Sequence, residues 1–289
     1  MDQNIETAMN AAIDYVGVTA PLVVSTYFSN DPNIAIAATA AGGGLAALIK
    51  MMFADVVRRA LSRRETVKIG SAMFYAIEKI NTYLKNGYSP QYADLSASID
   101  TRSGINEILE GILLKSSKEH EEKKLKILGN IFANTCFLEG TTFRDANLAI
   151  NLVNNMTYTK LCILSLFAKK FRMPERTLLD TNFVERFKNP LESNIFNDLL
   201  LLLFEIKNLF DNNLINQAEN NQENSTISSD EIISEGYPSV LGLYEIIPSN
   251  LRLTSLGKKI ALILSLEDIP DSDISSLYIL LSEPSQVTR

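Results

Sequence analysis

Apolar residues recur along much of this chain at spacings of three and four, the period of a helix with one buried face. Met73, Ile77, Ile80 and Leu84 make one such face. Ile105, Ile108, Leu109, Ile112 and Leu113 make a second, and Leu125, Leu128, Ile131 and Phe132 a third. Between the first two, residues 87–102 are polar and contain Pro90, which predicts a connecting loop. The charged stretch 115–126 predicts a solvated helix face, with Glu119–Lys123 and Glu122–Lys126 placed for i,i+4 pairing. Thr142, Phe143, Arg144 and Asp145 stand in the order of a capping box, in which the hydroxyl accepts from one orphan N–H and the carboxylate from another. A helix starting there places Ala146, Ala149, Ile150 and Val153 inward.

The last part has a different rhythm. Thr157 is placed to cap a helix carrying Leu161, Leu164 and Phe167, and residues 174–187 suit a shorter helix. Ser193 is placed to cap a third, with Ile195, Leu199, Leu202, Ile206 and Leu209 on one face. It should stop at Asn212 and Asn213, because Asn tolerates the left-handed conformation that ends helices. Residues 214–216 and 251–253 are short extended candidates, and residues 244–247 a third. Residues 217–236 between them are polar and low in complexity. Thr254 then caps a helix bearing Ile260, Leu262, Ile263 and Leu266, and residues 271–281 form a last one. Three helices, a long hairpin and a further helix are the order of a winged helix.

The N-terminal region stands apart. Asp31 is the one formal charge between positions 15 and 49. Two apolar arms, 15–29 and 33–49, flank Asn30, Asp31, Pro32 and Asn33, a strong turn signal. The pattern predicts a helical hairpin. Pro21 lies inside the first arm; Gly42, Gly43 and Gly44 lie inside the second, where glycine weakens a helix and favours a change of state. Ala38, Gly42 and Ala46, spaced by four, form a small-residue face of the kind that packs helices closely in bilayers. The arms are short and weakly apolar for a spanning helix, which needs about 20 apolar residues. Insertion into or contact with a membrane, and burial in an oligomer or partner interface, both remain open.

The expected fold class is therefore mainly α. It has an N-terminal apolar helical hairpin (1–57), a helical bundle (58–156) and a C-terminal winged-helix-like domain with a small β-hairpin (157–289), carrying a flexible insertion near 217–236.

Charge changes the picture in two places. The 289-residue chain carries a net −7, which disfavours non-specific nucleic-acid binding by the whole molecule. From Ala218 onward there are eleven acids and four bases, whereas residues 58–68 hold five bases and one acid. Arg58, Arg59, Arg63, Arg64 and Lys68 are thus candidates to meet an anion, such as lipid headgroups. The expected third helix of the winged helix is net negative, which argues against reading DNA with it. The start of the chain is acidic and lacks a basic n-region, so no secretory signal is expected.

Candidate chemistry is sparse. The one histidine, His120, has serines one turn back and lysines one turn on, so no metal site is expected. Gly42, Gly43 and Gly44 lack the Lys-Ser or Lys-Thr of a phosphate loop. Cys136 and Cys162 sit in apolar runs and suit buried structural thiols in a reducing compartment. The expectation is no catalytic residue, no cofactor and no enzyme.

Residues 119–169 contain Gly129-Asn130-Ile131-Phe132-Ala133-Asn134 and the helix starting at Thr157-Tyr158. Near the end stands Leu253-Thr254-Ser255-Leu256-Gly257-Lys258. With the small-residue N-terminus and the basic residues after it, these resemble a poorly characterised group of bacterial proteins, and more distantly the abortive-infection alpha family of phage defence. The resemblance covers the middle third best and carries no catalytic residue. It implies a cytoplasmic or inner-membrane-associated bacterial protein with a role in antiviral defence. Three functions compete: a membrane-acting effector or sensor, a soluble oligomerising or partner-binding module, and a nucleic-acid-binding regulator, the last disfavoured by charge.

Overall fold

A computed structural model describes residues 62–91, 104–169, 178–179, 193–218, 242 and 245–282, with the backbone alone for 193–197. The expected N-terminal hairpin and the insertion lie outside these residues, apart from Gln217 and Ala218. The described part is mainly helical, with one small two-stranded antiparallel sheet. It forms two compact units: residues up to Tyr158 together with Ile263–Ser265, and the remainder from Thr159 onward.

The first unit holds α1 (Arg63–Lys85), α2 (Gly104–Lys118), α3 (Lys124–Phe137) and α4 (Phe143–Asn155). Helix α1 starts in a capping box: the Ser62 hydroxyl accepts from Glu65 N at 3.3 Å, and the Glu65 carboxylate accepts from Ser62 N at 2.8 Å. Thr142 and Asp145 form the expected box at α4, with bonds of 3.2 and 2.9 Å. The expected faces of α2, α3 and α4 are buried. On α1, Met73, Ile77 and Ile80 are buried and Leu84 half-buried.

Close approaches fix the helix directions. A Cβ on Gly129 of α3 would stand 2.4 Å from Ala72 O and 2.8 Å from Ala76 N of α1. Further along both helices, the Tyr83 ring stacks on Phe137 at 5.0 Å. So α1 and α3 run the same way. Gly104 and Gly111 of α2 face Phe143 and Ile150 of α4 in matching order, so these two also run together. The connections of α2 to α3 and of α3 to α4 are short, which makes each such pair antiparallel. The unit is an up-down-up-down bundle. Helix α3 touches the other three, and all but one of its residues are buried.

Asn134 explains why a polar residue is tolerated there. Its Nδ2 donates to Ile263 O and Ser265 Oγ, both at 2.7 Å, and its Oδ1 accepts from the Tyr83 hydroxyl at 2.7 Å. Asn134→Ala leaves the buried Ile263 O and the half-buried Tyr83 and Ser265 hydroxyls without that partner and is expected to cost about 1–3 kcal/mol. The check is a urea midpoint that falls with unchanged slope.

The charged stretch departs from expectation. It is not one solvated helix face: α2 ends at Lys118, and α3 starts at Lys124 after a tight corner. The Lys124 side chain is 1% exposed. Helix period alone does not reveal where a chain turns, and the corner reverses which charges face inward.

The remaining elements are α5 (Tyr158–Ala168), α6 (Ser193–Asp211), β1 (Ile215–Gln217), β2 (Leu251–Leu253), α7 (Ser255–Ile263) and α8 (Asp271–Leu281), which make the second unit except for Tyr158 and Ile263 at one end of α5 and of α7, both part of the first. Helix α6 ends as expected, with Asn213 at φ 55°. Strands β1 and β2 pair with Ile215 opposite Leu253 and Gln217 opposite Leu251. Thr254 accepts from Gly257 N at 2.9 Å and so caps α7.

Of residues 174–187 only Leu178 and Leu179 are described: Leu178 bridges Ser282 in extended pairing, and Leu179 bonds to Leu281 and Ser249, so the expected shorter helix lies outside the described residues. Two expectations fail here. Glu245–Ile247 is not a third strand. The Gln217 side chain takes the ladder's place, donating to Glu245 O at 3.1 Å and accepting from Ile247 N at 2.8 Å. Leu262, expected inward, is 60% exposed, while Ile263 and Leu264 beside it are buried.

Candidate functional site

Of the residues singled out as membrane or interface positions, Pro21, Ala38, Gly42, Gly43, Gly44 and Ala46 lie outside the described residues, as do Arg58 and Arg59. Arg63, Arg64 and Lys68 are described. They occupy the first two turns of α1, with both arginines exposed and Lys68 half-buried. Bases at a helix N-terminus oppose the macrodipole, so they do not stabilise α1.

The bundle adds residues that sequence reasoning missed. Helix α2 ends where α1 begins, which brings its last-turn Lys115 and Lys118 to the same end of the unit. The bonds from Ser62 hold the Glu65 carboxyl below its ordinary value, and the charges of Lys68 and Lys118 act in the same direction. The signal was present in sequence as basic residues at one helix end, but it required the helix directions to be read.

Next to this cluster stands the corner between α2 and α3. Lys124 Nζ lies 2.8 Å from Glu119 and 3.5 Å from Glu121. Glu119 also accepts from His120 N at 2.8 Å and Glu121 N at 3.0 Å. Burial pushes the Glu119 carboxyl up, but the bonds from Lys124 and from the two backbone N–H groups outweigh it and hold the group below its ordinary value. Glu121 accepts from Tyr158 N at 2.9 Å, at the start of α5, and Lys123 lies over the Tyr158 ring at 5.3 Å. Glu119, His120 and Glu121 present ligand-type atoms within 4.8 Å of one another. The ammonium of Lys124 already stands against both carboxylates, where a metal ion would be repelled. This corner is a structural ion cluster.

Other candidate chemistry is likewise engaged in structure. Both thiols are buried, and burial pushes the Cys136 thiol well up, away from nucleophilic use. On α6, Lys207 binds Asp211 at 2.7 Å, and Glu205 holds Lys160 at 3.0 Å. Leu201 and Phe204 on that helix are 65% and 53% exposed. Among the described residues no helix is long and apolar enough to cross a membrane.

No protein-family model matches this chain, and neither curated proteins nor solved structures give a match.

Proposed function

We propose that this chain is a non-enzymatic bacterial effector or sensor of the abortive-infection type, acting at the inner membrane through the apolar segment 15–49. The observation that carries the reading is the exposed pair Arg63 and Arg64 at the start of α1, shortly after that segment. Their charge works against the helix they begin, so an anion outside the chain accounts for them better than local stability does. The order α5, α6, β1, β2, α7 supports a winged-helix-like second unit. The exposed Leu201 and Phe204 on α6, with its Lys207 tied to Asp211, suit a protein partner better than DNA. Those two side chains also favour a second reading, a soluble partner-binding or oligomerising adaptor.

The test compares the full chain with its Gly42→Asp, Ala46→Asp variant in fractionation and vesicle flotation. Acids in the second arm oppose insertion. The proposal expects the wild type to float and the variant to remain unbound. A wild type that stays monomeric and lipid-free overturns it, and a wild type that stays lipid-free but assembles favours the adaptor.

A further inference from the structure

The bundle of the first unit is electrically polar along its axis. One end gathers the start of α1, the end of α2, the corner and the start of α3. Residues 62–68 and 115–126 there hold eight bases and four acids. At the other end, residues 78–91, 104–110 and 134–145 hold three bases and five acids.

Three of the four acids at the basic end, and one of the bases, the buried Lys124, are turned to internal work. Glu65 bonds back to Ser62, Glu119 is held by Lys124, and Glu121 bonds Tyr158 N. Arg63, Arg64 and Lys118 stay exposed. The apolar segment 15–49 also precedes this end in the chain.

We infer that this end of the bundle is a docking surface for the acidic phospholipid headgroups of a bilayer, with Lys115 and Lys118 of α2 joining Arg63, Arg64 and Lys68 of α1. This rests on the membrane reading above and adds the lipid class and the orientation. Helix α1 has 23 residues and spans roughly 35 Å. A Debye length is about 8–10 Å in physiological salt, so only the basic end senses the surface when the bundle stands upright on it. The acidic far end then points away from the headgroups. A lipid surface is favoured over a nucleic acid because the neighbouring segment is apolar and the rest of the chain is acidic.

The test uses the full chain and two vesicle types: equal parts phosphatidylglycerol and phosphatidylcholine, and phosphatidylcholine alone. The variants are Lys115→Gln with Lys118→Gln, and Lys115→Glu with Lys118→Glu. The glutamines leave helix propensity nearly unchanged, so a folded protein is retained if the charge swap disturbs α2. At about 1 kcal/mol per base near the surface, the glutamine pair should bind the acidic vesicles roughly thirtyfold more weakly, and the glutamate pair more weakly still. Residual binding to the neutral vesicles should not change, and added salt should weaken the wild type more than either variant.

Wild-type flotation on acidic vesicles with both variants unaffected overturns the inference and leaves the membrane reading standing. A wild type that floats with neither vesicle overturns the membrane reading itself. Salt-sensitive retention on DNA or RNA without flotation on acidic vesicles overturns the inference in favour of nucleic acid.

Discussion

Replacing Lys124 by alanine is expected to lower the stability of the fold by about 3–5 kcal/mol. The Lys124 side chain is 1% exposed and that of Glu119 6%. Removing the ammonium strands a buried carboxylate and withdraws one partner of Glu121, the group that bonds Tyr158 N at the start of α5. The cost comes from the charges left behind rather than from the worth of the pair.

The pH dependence separates this cause from simple loss of packing. In the wild type the Glu119 carboxyl is held below its ordinary value. Its contribution is therefore present above the unfolded value and is lost as pH falls through the folded one. Without Lys124 the bonds from His120 N and Glu121 N remain, but the ammonium that offset burial is gone, so the group moves up from its wild-type position and takes up a proton at higher pH than in the wild type. The deficit of the variant should be largest near neutral pH and narrow toward about pH 4. Urea unfolding at the two pH values checks this. A deficit that stays constant would mean that Glu119 is not the stranded charge.

Gly257→Ala is expected to cost about 3 kcal/mol or more, at the upper end of overpacking losses. A Cβ at this position would stand 1.9 Å from Leu214 O. That oxygen cannot readily give way: it accepts from Thr254 N at 3.1 Å, while Leu214 N bonds to Leu209 O at 3.0 Å. The obstacle is backbone pinned on both sides, between the end of α6 and the start of α7. In an unobstructed helix the same substitution stabilises by about 1 kcal/mol, so the sign of the effect is diagnostic. Thermal melting with far-ultraviolet circular dichroism measures it. An alanine variant as stable as the wild type would refute the close approach of α7 to Leu214.

Gly129 and Gly257, where an added Cβ would meet backbone, fall in the stretches 129–134 and 253–258, and so do Asn134 and Thr254. Their surroundings give each a structural reason. Gly129 lets α3 press on α1, Asn134 joins Tyr83 to Ile263 and Ser265, Thr254 caps α7, and Gly257 admits Leu214 O. These motif positions describe how the fold is closed, which is why they supply no mechanism. The proposed function rests instead on the basic bundle end and the apolar segment that precedes it in the chain.

The sequence by itself determined what is local. Helix faces such as Ile105, Ile108, Leu109, Ile112 and Leu113 are legible because burial repeats with the 3.6-residue turn. The Thr142–Asp145 box, the Thr254 cap and the left-handed Asn213 are legible because a side chain or a backbone torsion meets its own neighbours within four residues. Only the tertiary structure decided what depends on distant partners. It turned the charged stretch into a corner and buried Lys124. It used the Gln217 amide where a third strand was expected, left Leu262 in solvent, and brought Lys115 and Lys118 to the same bundle end as Arg63 and Arg64. Period and propensity report one element at a time, whereas the fate of a charge or an amide is set by which helix end or strand edge the fold places opposite it.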